Sequence, residues 1–364
     1  MSEGMAQVSL LIPRLDAKPW GGRKLAGYGL DLPPGEPIGE ALVTAGEAVI
    51  VKGDGAGKTL QEVVETDPHI RLGQRAMAAV SGRVIFPLLV KLIDAAENLS
   101  IQVHPDDAGA MVLDRLGKTE AWYVLAADPG AKVYLGLANG ISLEDFMSRA
   151  RMLDGSSARA LRALDAEPGM TTLIPAGTVH ALGAGVMVYE IQQPSDVTFR
   201  LDDWGRTDAQ GNPREMHLEQ GKGAVRPGYR PENMVPIDVS DGEIARHLLT
   251  ACRYFALERL RLPVGSTVLV GDPGSPQVLT VLSGAAGLIG GEDDLVLTPG
   301  SSGVVWPTAS GAELTATESS EVLRAWVPDL LQDIVRPALA SGAMDMDIGA
   351  LGGASDDVRK AMQS

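Results

Sequence analysis

Short apolar runs separated by turn residues recur along nearly the whole chain, and few stretches keep the spacing of a long amphipathic helix. Residues 10–15, 38–43, 86–94 and 99–104 read as strands. Residues 119–137 read as two strands joined at Asp128-Pro129-Gly130, and 170–174, 179–182 and 186–193 as three more. From Ala251 the rhythm resumes at 253–260, 266–270, 277–283, 287–289, 294–297, 303–306 and 313–316. Strands this short, set about 8–12 residues apart by Gly/Pro turns, predict a sandwich or barrel.

Helical spacing is confined to a few places. Thr59 suits an N-cap ahead of Leu60, Val63 and Val64, and 108–116 holds a short helical pattern. Residues 142–164 read as helical, with Ser142 and the Glu144-Asp145 pair suited to a helix start. The tail, 328–364, reads as weakly amphipathic helix broken at Gly352-Gly353. Lys18-Pro19-Trp20-Gly21-Gly22 and Pro33-Pro34-Gly35 read as turns.

A chain of 364 residues exceeds one ordinary core, so two domains are expected. The stretch 207–242, rich in Gly, Pro and charge, marks the boundary. The expected plan is a unit at 1–240 with a helical insertion near 142–165, a second unit at 241–330, and a tail at 331–364. A formal net charge of −16 speaks against nucleic-acid binding, which needs basic surface. The single cysteine, Cys252, leaves no intrachain disulfide and no thiolate metal site. No apolar run reaches the roughly 18 residues of a membrane span, and the start lacks a secretory pattern, so a cytoplasmic protein is expected.

The candidate chemistry lies in the strands. In Leu99-Ser100-Ile101-Gln102-Val103-His104, a period of two sends Ile101 and Val103 one way and Ser100, Gln102 and His104 the other. Lys118 and Glu120 are again two apart, ahead of an apolar strand, and His180 closes Ile174-Pro175-Ala176-Gly177-Thr178-Val179-His180. Gln102, His104, Glu120 and His180 together make a mixed nitrogen and oxygen shell suited to Zn²⁺, with Mn²⁺ or Co²⁺ as substitutes. Lys91, inside the apolar run 86–94, either snorkels at an edge or turns inward toward an anion. Glu40 has the bland reading of an exposed edge carboxylate. With Lys118 and Arg200, Lys91 would suit a phosphorylated substrate. Glu190 and Asp196 are the carboxylates available for proton transfer, with metal-bound water as a third candidate for the base. Gly53-Asp54-Gly55-Ala56-Gly57-Lys58-Thr59 imitates a phosphate loop, but Lys52 stands where its first glycine is needed.

Phe86-Pro87-Leu88-Leu89-Val90-Lys91, the 99–107 stretch, Gly117-Lys118-Thr119-Glu120, Pro175-Ala176-Gly177-Thr178-Val179-His180 and Tyr189-Glu190-Ile191-Gln192-Gln193 closely resemble type I mannose-6-phosphate isomerases of the short bacterial branch. Trp20-Gly21-Gly22, Ile38-Gly39-Glu40, Ser195-Asp196 and the 200–206 stretch fit the same family, with Ala41-Leu42 where many relatives carry tryptophan. The resemblance implies a mainly β protein of two cupin-type jelly-roll barrels, with a small helical insertion and the metal in the first. It implies zinc ligands at Gln102, His104, Glu120 and His180. Lys118 and Arg200 resemble the family's active-site cations, and Lys91, Ser100, Glu190 and Asp196 match further active-site positions. The implied reaction is interconversion of mannose 6-phosphate and fructose 6-phosphate. Another sugar or sugar phosphate as substrate, and a non-catalytic sugar-binding cupin, are the alternatives. A monomer and a homodimer are both compatible with the sequence.

Overall fold

The computed structural model describes residues 7–207, 211–212, 214–309 and 311–363. Residues 208–210 and 213 of the 207–242 stretch, and Ser364 of the tail, lie outside them. The protein is mainly β, with antiparallel pairing in each of four sheets. A six-stranded sheet runs in the order Thr171–Ile174, Glu120–Ala127, Val186–Gln192, Leu89–Ala95, Arg14–Gly22, Ile38–Leu42. A five-stranded sheet runs Phe199–Asp202, Ile101–Val103, His180–Leu182, Lys132–Leu137, Leu161–Asp165.

Alternation along the strands decides how these sheets stack. Ile93, Ala95, Trp122 and Val124 of the six-stranded sheet share a core with Val133, Leu135 and Leu182 of the five-stranded one. The intervening residues Ala121, Tyr123, Met187, Tyr189 and Ile191 face the other way. They pack on Leu249, Leu257, Val278 and Leu323 of an eight-stranded sheet. The six-stranded sheet is therefore buried on both faces, which explains its nearly continuous apolar strands. The eight-stranded sheet in turn packs Leu260, Leu279, Val281 and Val322 on Leu288, Leu295 and Leu314 of a four-stranded sheet. Two sandwiches thus stand back to back, the twin jelly-roll plan that the family resemblance implies.

Val8–Leu11 and Ile50–Gly53 belong to the eight-stranded sheet, beside Ser302–Val305, although they lie early in the chain. The outer face of the five-stranded sheet is covered by the helices Leu143–Ala150 and Leu218–Ala224. Phe146 is fully buried there, a burial that contributes about 1.5–3 kcal/mol. The tail forms short helices from Leu330 to Ala361 that pack on Ile237, Leu248 and Trp326. No helix among the described residues is long and apolar enough to cross a membrane.

Several elements differ from the sequence expectation. The helical reading of 142–164 holds for Leu143–Ala150 and a 3₁₀ turn at Ser156–Ala160, but Leu161–Asp165 is a strand paired with Lys132–Leu137. Its Leu-Arg-Ala-Leu composition favours helix locally, and sheet pairing overrides it. The 18–22 turn is the irregular end of the strand Arg14–Gly22, whose register shifts between Ala17 and Gly22. The 108–116 pattern yields only the short helix Asp107–Met111. Thr59 does cap the helix Leu60–Thr66, in a capping box with Glu62.

Candidate metal centre

Strand pairing assembles the cluster. On the five-stranded sheet His180 lies directly opposite Gln102, and Arg200 pairs with Gln102 from the other side. Their neighbours Ile101, Val103 and Ala181 point away into the outer core. On the facing sheet, Glu120 sits between Ile174 and Gln192. Glu190 lies between Lys91 and Trp122. His104 follows the end of its strand. Gly177, at φ +94°, turns the chain toward His180; a Cβ there would approach Arg226 Cγ to 2.5 Å.

Ligand-capable atoms of His104, Glu120 and His180 lie within 4.8 Å of one another, and all three residues are buried. His104 Nε2 stands 3.4 Å from Glu120 Oε2, and His180 Nε2 stands 3.2 Å from Glu120 Oε1. Yet among the described residues His104 Nε2 and both Glu120 oxygens have no partner in hydrogen-bonding geometry. Buried polar atoms are rarely left so, and a cation in their midst accounts for all three. Each imidazole is oriented from behind. His104 Nδ1 donates to the Val197 carbonyl at 2.9 Å, and His180 Nδ1 donates to the Thr178 carbonyl at 2.9 Å. Both rings therefore present a bare Nε2 to the cluster, the arrangement metal-binding histidines use. The Gln102 amide nitrogen lies 3.2 Å from His180 Nε2. Turning that amide by half a revolution brings its oxygen to the same point, as a fourth ligand. The residues fit a divalent ion of the zinc type.

Charge in the cluster is tightly balanced. Burial, then the Lys118 ammonium, pushes the His104 pKa down to about 3, so the ring is neutral. Burial opposes the Glu120 carboxylate, but Lys118, His180 and His104 outweigh it and hold its pKa well below the ordinary range. Lys118 Nζ is 3.1 Å from Glu120 Oε2. Burial opposes this ammonium too, but Glu120 and Glu190 keep its pKa above the usual lysine value. Glu190 moves the other way: burial and then Glu120 raise its pKa, against Lys118 and Lys91.

Of the remaining sequence candidates, Lys91 turns inward, 3.6 Å from Glu190 Oε1 and 3.9 Å from Glu40 Oε1. Ser100 is buried just before the strand Ile101–Val103. Arg200 is half-buried; its Nη1 donates to the Glu215 carbonyl at 2.9 Å, and its Nε has no partner among the described residues. Asp196 stands apart, with its side chain 85% exposed and 3.7 Å from Arg115. It lines a cleft of about 510 Å³ that also holds Arg14, Glu40, Arg83, Lys91 and Arg115. Two contributors escape sequence reasoning. Glu40 is held between Lys18, at 3.1 Å, and Lys91. Trp122 Nε1 donates to Glu190 Oε2 at 2.8 Å. Trp122 sits two residues after Glu120, so the same alternation could have found it.

Twin jelly-rolls with a buried two-histidine, one-glutamate cradle define a cupin with a candidate metal centre. Residues 9–128 match the family model described as phosphomannose isomerase type I, catalytic domain. The chain is 33% identical over 279 residues to the mannose-6-phosphate isomerase ManA of Bacillus subtilis, spanning 75% of this chain and 84% of that one. It is 30% identical over 329 residues to a mannose-6-phosphate isomerase of Streptococcus mutans, spanning 87% of this chain and all of that one (100%). The crystal structure of the Bacillus subtilis mannose 6-phosphate isomerase superposes with a TM-score of 0.75 at 26% identity, covering 88% of this chain and 99% of that one. The chain belongs to the type I phosphomannose isomerases.

Proposed function

We propose that the protein interconverts mannose 6-phosphate and fructose 6-phosphate through a cis-enediol, with Zn²⁺ held by Gln102, His104, Glu120 and His180. The observation that carries this reading is a pair of ammonium–carboxylate contacts, Lys118 on Glu120 and Lys91 on Glu190, beside a cradle whose ligand atoms lack hydrogen-bond partners among the described residues. Relatives at 30–33% identity bear the name of this activity, and a similar fold at TM-score 0.70 is a zinc-bound mannose 6-phosphate isomerase. Bound zinc supplies a Lewis acid that polarises the sugar oxygens; Mn²⁺ and Co²⁺ suit the same donors.

Glu190 is the base that carries the proton between C2 and C1. Its raised pKa makes it a stronger base than an ordinary carboxylate. Trp122 holds its Oε2, and Oε1 faces Lys91. Lys118 stays an ammonium and, with Arg200, stabilises the negative charge that develops on the enediolate oxygens. The cleft of about 510 Å³, with Arg14, Arg83, Lys91 and Arg115 on its walls, accepts the phosphorylated end of the hexose. Lys91 contacts substrate from the wall of the cleft, and Ser100, two residues before Gln102 on the same strand face, is assigned to substrate binding by its match to the family position. Asp196, at the rim, orients substrate instead of moving the proton. We place the division of the chain near residue 240, with Val8–Leu11 and Ile50–Gly53 crossing into the sheet of the second jelly-roll, which supplies none of the proposed ligands.

A coupled isomerase assay tests the reading. Chelation abolishes turnover and Zn²⁺ restores it, while Glu190→Gln keeps its zinc and loses about 10²–10⁴ in kcat. Full activity without metal, or an unimpaired Glu190→Gln, sinks the assignment. Glucose 6-phosphate and free mannose, run alongside, decide the substrate class.

A further inference from the structure

The sequence between the ligands His104 and Glu120 leaves the sheet and returns, and one side chain ties both ends of that excursion. Asp107 opens the helix Asp107–Met111, and its Oδ1 accepts from Gly117 N at 3.0 Å on the returning segment, ahead of the strand Glu120–Ala127. The two backbones touch here: a Cβ on Gly117 would lie 2.6 Å from Asp107 N. The same Oδ1 accepts from Gln193 Nε2 at 3.0 Å, and Gln193 Oε1 accepts from Thr119 N at 2.9 Å. Lys118 N itself bonds the Pro105 carbonyl at 3.1 Å. Asp107 and Gln193 thus pin the backbone on each side of Lys118.

The outer oxygen of Asp107 is held from the other sandwich. Residues 252–255 link the strands Ala245–Ala251 and Ala256–Leu262, and Cys252 N closes the turn on the Phe255 carbonyl at 2.8 Å. At its tip Tyr254 Oη donates to Asp107 Oδ2 at 2.5 Å. Arg253 lies over the Tyr254 ring at 4.7 Å and reaches Asp107 Oδ2 at 3.5 Å and the Tyr254 hydroxyl. Asp107 is therefore bonded from both units, inner oxygen to the Lys118 loop and outer oxygen to the second jelly-roll.

We infer that Tyr254 is a positioning residue for Lys118, acting through Asp107, and that the metal-free jelly-roll contributes to turnover through this hairpin. The inference rests on the catalytic role given to Lys118 above. Removing the Tyr254 hydroxyl leaves Oδ2 only the long contact to the exposed Arg253 at 3.5 Å, which loosens Gly117 and Thr119 and lets Lys118 shift from its place beside Glu120. Displacements of about 1 Å at a reacting centre cost up to about 100-fold in rate.

Tyr254→Phe keeps the ring and removes only the donor. The expected result is a kcat about ten-fold lower, with KM and zinc content unchanged and the melting temperature lower by only about a few degrees. Placed in a Lys118→Ala background, the same substitution changes kcat less than about two-fold, because coupled residues are not additive. A wild-type kcat in Tyr254→Phe overturns the inference. So does an equal loss in both backgrounds, or a loss of zinc in step with activity. Turnover of mannose 6-phosphate by the wild-type protein, measured in the same experiment, reports separately on the proposed function.

Discussion

Each sandwich buries a glutamate completely, and the two are treated in opposite ways. Glu258 lies on the side of its strand that carries Leu260 and Leu262. Its Oε1 accepts from Arg246 Nε at 2.8 Å and its Oε2 from Arg324 Nη1 at 3.3 Å. Arg324 is itself fixed by Gln277 and stacked on Trp326. Glu120 has three nitrogens within 3.1–3.4 Å, yet none is aligned to bond it. One carboxylate is closed by its neighbours and serves the fold. The other is left open, at a cost the rest of the sandwich bears, and can take a cation. Burial and charge are shared by both sites; what separates them is whether the surrounding groups satisfy the carboxylate.

Exchanging the two glutamates for glutamine breaks this contrast most directly. Glu120→Gln loses its zinc and at least about 10³ in kcat/KM, since even partners behind the ligands are worth 10–100-fold. Metal analysis alongside the isomerase assay reads both. Glu258→Gln keeps zinc and turnover but leaves two cations underpaired, and unfolds with about 3 kcal/mol less stability in urea. If Glu258→Gln costs activity instead, the two sandwiches are not divided as described. A finer probe is Lys91→Met. Removing a cation 3.6 Å from Glu190 favours the protonated carboxyl and raises its pKa. The acid limb of kcat then moves to higher pH by about one unit; an unmoved limb means that another group is the base.

The parts of this site that a sequence can show are those fixed by local periodicity. Alternation put Gln102 on the inner face and Ile101 and Val103 on the outer one, and it paired Lys118 with Glu120. The family words then joined strands that no local rule connects. What escaped depends on which strands become neighbours. Glu40 reads as an edge carboxylate until its strand pairs with Leu89–Ala95 and brings it to Lys91. Asp107 and Tyr254 are 147 positions apart, so nothing near either residue announces their bond. The choice between Glu190 and Asp196 was likewise open, because the turn at Pro194 leaves one buried and the other 85% exposed. Leu161–Asp165 shows the opposite failure: its local signal is clear and points to a helix, but an available sheet edge decides the outcome.

The carbonyls of Val197 and Thr178 behind the two imidazoles have a consequence for assembly. Both rings are oriented from behind by backbone carbonyls, so their aim into the cradle is set by the fold of the strands that carry them. The ion then behaves as a guest in a finished socket and not as a template for the chain, unlike the small zinc modules that collapse only around their metal. Chelation is therefore expected to empty the site and leave the fold intact, which melting curves taken before and after removal of the ion check.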